Sequence, residues 1–405
     1  MTENIRKKGT ESSEGCGTDK SCEILVIYGE EYEKMTRRLL EEADLAARIG
    51  DRSRRIGIKP NLVSAVLSSE GATTHTEVVE GLLRYLQEHG FRNLAIMEGS
   101  WVGEQTARAF AACGYTKLAE KYNVELIDAQ KERPVKTDCA GMELRLCACA
   151  LDVDFMINVP VMKGHCQTRI TCALKNMKGL LPNQEKRRFH SLGLHQPIGH
   201  LAMGIRQDFI LVDSICGDLS FEDGGNPTVM NRIFAAWDPV LCDAYVCRLL
   251  GYRTEEVPYI GIAESLGAGS ANLGGAVVRE LNLSGERPQL PDRNRVLKLA
   301  EAVEEVESCS ACYGYLIPAL DRLDREGLLE DFPEKICIGQ GYKGKPGNLG
   351  IGSCTKDFAH SLKGCPPTET EIYEFLREYM CRRDGRETYG DRKEGTRPSS
   401  GSGPA

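Results

Sequence analysis

The sequence has no run approaching the ~18 uninterrupted apolar residues that a membrane-spanning helix needs, which argues against membrane insertion by that route. It lacks a basic stripe interleaved with aromatics, and its 51 Lys plus Arg are outnumbered by 59 Asp plus Glu, a formal net charge of −8. A nucleic-acid partner therefore has little electrostatic support. No apolar signal segment stands at Met1 to Lys20, which is polar and contains Gly and Ser, so a cytoplasmic protein is expected. No internal repeat is evident. What remains is an ordinary globular composition, 41% hydrophobic and 27% charged over 405 residues. That excludes a collagen, a coiled coil or a wholly disordered chain and suggests two domains at ~100–200 residues each. There are also seventeen cysteines. In a reducing compartment these point to metal ligands, reactive thiols or small buried hydrophobes rather than to disulfides.

Residues 1–21 and 382–405 have the composition of solvated tails. Between them Glu23 to Tyr28, Arg55 to Asn61, Asn93 to Glu98, Val124 to Asp128, Phe155 to Val161, Phe209 to Ser214 and Ile233 to Trp237 read as strands. Tyr32 to Ile49, His75 to His89, Glu104 to Cys113, Pro239 to Leu250 and Glu255 to Leu266 read as helices. That alternation predicts an α/β domain over 22–290, a mainly parallel sheet flanked by helices, whose ligands gather beyond the carboxyl ends of the strands. Pro291 and Asp292 then lead into a charged helix, Arg295 to Glu307, which places a boundary near Gly285 to Asn294. Six cysteines lie from Cys309 onward, and Gly and Pro are frequent from Cys337 to Pro367. A small C-terminal Cys-rich domain over 291–381 is expected, built around a bound group instead of a large apolar core.

In that domain Cys309-Ser-Ala-Cys312 is followed after 41 residues by Cys354, behind Gly352-Ser353, and after ten more by Cys365 in Gly364-Cys365-Pro366-Pro367. A two-residue gap lets two thiolates point at one centre from a single turn, while Gly and Pro let backbone approach the other two. Four thiolates suit a [4Fe-4S] cluster and zinc alike, and spacing does not separate them. The order Cys-x-x-Cys, Gly-x-Cys, Gly-Cys-Pro-Pro and a short helix resembles the proximal four-iron site of nickel–iron hydrogenase small subunits. Its last two elements are similar to the related cluster-bearing subunit of respiratory complex I. The resemblance implies a [4Fe-4S] cluster on Cys309, Cys312, Cys354 and Cys365; Cys337 has no counterpart in the pattern. The cysteines of the larger domain, Cys113, Cys166, Cys172, Cys216, Cys242 and Cys247 among them, read as small buried hydrophobes.

A second constellation runs through the larger domain. Lys59-Pro60-Asn61 closes a strand, Thr73-Thr74-His75-Thr76 opens a helix with hydroxyls placed to cap it, and Glu98-Gly99 closes another strand. Asn158-Val-Pro160-Val-Met-Lys163-Gly-His165 ends a third, followed by Ala173-Leu-Lys175-Asn176-Met-Lys-Gly179, His190, Asp213 and Asp238-Pro239 up to Asp243. These motifs, over roughly Lys59 to Gly269, resemble the prokaryotic DUF362 domain family, a likeness that implies no particular reaction. Physically they suit an anionic small molecule. Lys59, Lys163 and Lys175 supply a positive field, and Glu98, His165 and His190 are placed to move protons. Asn61, Thr74, Asn158, Asn176 and Asp213 are the binding candidates. Plainer readings stand beside these: solvated strand-end lysines, asparagines that satisfy loop backbone, structural histidines. The gathering at one sheet edge favours a common pocket.

Gly339-Gln-Gly341-Tyr-Lys-Gly344 has the letters of a dinucleotide fingerprint, but Pro346, Gly347 and Gly350 stand where the phosphate-binding helix should run. Gly344-Lys345-Pro346 is no Walker motif, and no Gly-x-Ser-x-Gly elbow closes a strand. Without a flavin or nicotinamide motif, electrons would need an external ferredoxin-like donor. The expectation is an iron–sulfur oxidoreductase passing electrons between the cluster and an anionic small molecule in the α/β domain. The alternatives are a lyase or hydrolase with a structural cluster or zinc, and a non-enzymatic electron carrier or cluster-dependent sensor.

Overall fold

A computed structural model describes residues 22–221, 226–282, 295–330 and 332–383. The tail expected over 1–21 and the boundary expected near Gly285 to Asn294 lie outside the described residues, as does the tail expected over 382–405 except for Arg382 and Arg383, which end the helix Glu369–Arg383. The chain parts into two compact units between Arg293 and Asn294.

The first unit holds twelve strands among its described residues: β1 (Glu23–Tyr28), β2 (Ile56–Pro60), β3 (Leu94–Glu98), β4 (Glu125–Asp128), β5 (Pro134–Cys139), β6 (Met142–Cys147), β7 (Phe155–Val159), β8 (Lys163–His165), β9 (Arg169–Thr171), β10 (Phe209–Asp218), β11 (Pro227–Ala236) and β12 (Val277–Glu280). Eight form one sheet in the order β12-β1-β11-β10-β7-β2-β3-β4. Only β11 runs against the rest, antiparallel to both β1 and β10. The sheet is covered on both faces, so its strands are near-continuous apolar runs. Alternate residues serve different layers: Ile24, Val26, Met97 and Val212 pack on one side, Leu25, Ile27, Ile96 and Leu211 on the other.

The mainly parallel sheet flanked by helices is as expected, and the helix Pro239–Leu250 has the expected ends. The single helix expected over Tyr32 to Ile49 is two, Tyr32–Glu42 and Leu45–Ile49, because Asp44 turns left-handed at φ 54°. The expected strand Phe209 to Ser214 runs on to Asp218. Two hairpins were not anticipated. β5 and β6 turn tightly at Ala140 and Gly141, both at positive φ, and their alternating exposure hid them from an apolar-run criterion. β8 pairs with β9 and carries Lys163 and His165.

In the second unit β13 (Val303–Glu305), β14 (Ile336–Ile338), β15 (Leu349–Ile351) and β16 (His360–Leu362) form a parallel sheet in sequence order. The charged helix expected from Arg295 to Glu307 stops at Ala300, and β13 takes over, paired with β14. Helices Ser310–Arg325 and Glu369–Arg383 contribute Leu316, Leu320, Leu323, Ile372 and Leu376 to its buried core. Among the described residues no helix is long and apolar enough to cross a membrane.

Candidate functional site

The carboxyl ends of β2, β3 and β7 meet in a polar lattice. Lys59 and Glu98, both buried, form an ion pair at 2.8 Å. Lys59 Nζ also donates to Pro60 O at 2.6 Å, and the carboxylate accepts from Leu62 N and Gly99 N, each at 2.7 Å. Burial pulls the Lys59 amine below the ordinary lysine value, and the charge of Glu98 works against that pull. The pair is sealed by Gly179, where a Cβ would lie 2.2 Å from Glu98 Oε1 and 2.5 Å from Lys59 Cε. Only glycine lets the backbone pass so close, which is a physical reason for the glycine that ends Ala173 to Gly179.

The asparagines belong to the same lattice. Asn176 Nδ2 donates to Asn158 Oδ1 at 2.7 Å, and Asn158 Nδ2 donates to Ala173 O at 2.9 Å and Gln207 Oε1 at 2.7 Å. Asn61 N–H donates to Thr74 Oγ1 at 2.8 Å, and that hydroxyl donates to Val159 O at 2.9 Å. Lys59, Glu98, Asn61, Thr74, Asn158 and Asn176 are thus brought together, and each holds its neighbours within the protein.

The other candidates lie beside this lattice. Lys163 Nζ donates to Ala72 O at 2.8 Å, and Lys175 Nζ donates at 3.2 Å to Thr171, the residue opposite Lys163 in the β8–β9 hairpin. His165 Nδ1 accepts from Gln167 N and Thr168 N, both at 3.1 Å, which leaves the ring proton on Nε2. His190 is half-buried in the last turn of the helix Asn183–Leu192. Asp213 is fully buried on β10, where Oδ2 accepts from His75 N at 2.7 Å and His75 Nδ1 at 2.8 Å, and Oδ1 accepts from Ile215 N at 3.0 Å. Burial presses the His75 pKa down, but the charge and hydrogen bond of Asp213 carry it above the ordinary value.

His75 is one of two residues that the site reading missed. The signal was the helix-opening Thr73 to Thr76 run, read for its hydroxyls alone. The other is Lys186, buried, with Nζ donating to Gly99 O at 2.7 Å and Ser100 O at 2.8 Å, and its pKa lowered by burial to about 8. A cavity of about 690 Å³ opens at the opposite sheet edge, where β7 and β10 begin, lined by Val153, Arg206, Gln207, Trp237 and Asp238 among others. Of the motif residues it contains Asp238 and Pro239, and of the lattice only Gln207.

In the second unit Cys309 precedes the helix Ser310–Arg325, Cys312 lies in its first turn, Cys354 sits in the turn after β15 and Cys365 follows β16. The four thiols come from three segments of sequence and lie near enough to feel one another's charge: Cys309 feels Cys354 and Cys365, and Cys312 feels all three others. Burial, then these neighbours, push the Cys312 thiol up to about 12. Gly352, at φ +90°, leaves open a Cβ position 3.6 Å from Cys312 Sγ, and Gln340 Nε2 donates to Cys309 Sγ at 3.6 Å. Cys337 keeps different company, Tyr342, Glu304 and Glu334.

Comparison with known proteins finds three partial likenesses and one family match. The thylakoid-associated protein sll1697 of Synechocystis sp. (strain PCC 6803) is 25% identical over 224 residues, 53% of this chain and 68% of that protein. The lactate racemase apoprotein of Thermoanaerobacterium thermosaccharolyticum superposes with a TM-score of 0.39 at 15% identity over 56% of each chain. A crystal structure from Thermotoga maritima gives 0.36 at 11% identity over 55% of this chain and 60% of that one. The chain thus spans little more than half the length of either solved structure. Residues 56–248, which include every motif from Lys59 to Asp243, match the family model described as Domain of unknown function (DUF362).

Proposed function

We propose that the chain is an iron–sulfur oxidoreductase in which Cys309, Cys312, Cys354 and Cys365 hold a [4Fe-4S] cluster and the α/β unit binds an anionic small molecule. The observation that carries this is the convergence of the four thiols. The donor set fits: soft sulfurs from loops and a helix start, a glycine at positive φ that turns the chain beside Cys312, and an amide N–H on Cys309 of the kind that tunes cluster potentials. When bound, such a cluster supplies one-electron transfer. A ferredoxin-like protein is the proposed donor, and the cytoplasm the proposed location.

The chain's own residues bind and protonate. Lys163 and Lys175, anchored about Thr171, are the proposed anion-binding cations. His165, with its proton on Nε2, is the proposed donor, and the His75–Asp213 pair holds a second proton close by in the same unit. Lys59 and Glu98 hold the strand ends in register beneath. A structural cluster is the second reading, favoured by the three-residue strands of the second unit, which need a fastening beyond their small core.

Anaerobic purification with iron, sulfide and zinc analysis tests the proposal. About four irons and four sulfides per chain, bleached reversibly by dithionite and lost in Cys354→Ser, are expected. Stoichiometric zinc without sulfide at these thiols refutes it, and a cluster that resists reduction favours the structural reading.

A further inference from the structure

We propose that Cys172, Cys242 and Asp243 form a second, closed metal site within the α/β unit, and that its ion is zinc. Cys172 stands just before the helix Ala173–Asn176, and the other two lie in the first turn and a half of the helix Pro239–Leu250, so two separate segments deliver the ligands. Two sulfurs and a carboxylate oxygen lie within 4.8 Å of one another, the one such group among the described residues. All three side chains are fully buried.

Two features set the group apart from chance packing. Asp243 is a core carboxyl that accepts from Ala173 N at 2.7 Å and Leu174 N at 3.2 Å, with no cation among these partners. Buried carboxyls are protonated, paired with a cation or bound to a metal. Secondly, the sulfurs of Cys172 and Cys242 lie within 4.8 Å of each other, whereas the thiols of Cys139 and Cys147 are turned to the backbone carbonyls of Thr137 and Ala129.

The donor set selects the ion. Two soft thiolates with a carboxylate suit zinc, and the two thiolates neutralise a divalent charge without importing a net charge into the core. The sulfur separation of ~3.8 Å that tetrahedral zinc imposes falls inside the observed limit. The Tyr259 hydroxyl, which donates to Ile170 O at 3.4 Å, lies beside the group, and an oxygen ligand such as water completes the tetrahedron. On binding, each thiol gives one proton to solvent, and two Zn–S bonds replace two S–H bonds. The ion then ties the start of the Ala173 to Gly179 segment to the neighbouring helix, which holds Gly179 over Lys59 and Glu98. The site is independent of the C-terminal thiols.

Metal analysis of the full chain, purified anaerobically, tests this. About one zinc per chain is expected here, lost in Cys172→Ser and in Cys242→Ser while iron stays constant; Cys354→Ser should do the reverse. An unchanged fluorescence of Trp101 and Trp237, which lie in the same unit as the variants, reports that they still fold. Zinc-edge X-ray absorption on the unmodified protein needs no variant: two sulfurs at ~2.3 Å and two oxygens at ~2.0 Å are expected. Four sulfurs, no zinc in protein produced with zinc supplied, or zinc unchanged in Cys172→Ser would each overturn the proposal.

Discussion

Replacing Lys59 by Met tests whether the strand-end pair is a sealed structural unit. Removal of the ammonium leaves the Glu98 carboxylate buried at 2% exposure, with two backbone N–H donors but without its salt-bridge partner. An uncompensated buried charge costs about 3–5 kcal/mol. With an m value of about 3 kcal/mol/M, the urea midpoint of the first unit should fall by roughly 1–1.7 M. Both tryptophans, Trp101 and Trp237, lie in that unit, so their fluorescence follows it alone. A deficit under about 1 kcal/mol would show that water reaches the pair and that the seal is wrong.

Three further outcomes are expected. Gly179→Ala should destabilise the same tryptophan-monitored transition by about 1–3 kcal/mol, because its Cβ would overlap Glu98 Oε1 and the Lys59 side chain; a neutral effect would mean that the segment moves freely. Asp213→Asn should lower the His75 pKa, read by imidazole NMR titration. In the parent protein the stability that comes from the raised His75 pKa is complete below the unfolded value of ~6.5 and is lost as the pH rises through the folded pKa. Lys186, lowered to about 8, sheds its proton earlier in the folded chain than in the unfolded one. Stability should therefore gain between about pH 8 and 10, and Lys186→Met should flatten that gain.

The sheet was legible because strands covered on both faces are continuous apolar runs, and those of β1, β2, β3 and β7 are bounded by turn residues. The β5–β6 hairpin was not, since its residues alternate in exposure and its turn uses Ala140 in a conformation that favours glycine. Site residues were legible as types at strand ends, but not as partners. Nothing local in the sequence shows that Asn176 reaches Asn158 or that Glu98 meets Lys59; those pairings come from the parallel order of β7, β2 and β3. His75 escaped for the same reason, because its partner lies 138 residues away. Cys172 and Cys242 read as hydrophobes because each stands alone in its own segment and they meet only in three dimensions.

The Ala173 to Gly179 segment shows how one motif serves two ends. Its first N–H groups are held by Asp243, Ala173 O is held by Asn158, and Gly179 rests on the ion pair, so its backbone is fixed at both ends. Between them Asn176 turns inward to Asn158, while Lys175, one helical step of about 100° away, turns to Thr171 in the hairpin that carries Lys163 and His165. The two side chains should therefore separate in experiment. Asn176→Ala strips partners from Asn158 and Lys59 and should cost about 1–3 kcal/mol in the tryptophan transition. Lys175→Met keeps the apolar stem and should leave that transition within about 1 kcal/mol of the parent, yet abolish any thermal shift that phosphate or small carboxylates produce. If Lys175→Met keeps the anion response, or if Asn176→Ala loses it without losing stability, the anion is held by the lattice itself and not by the hairpin lysines.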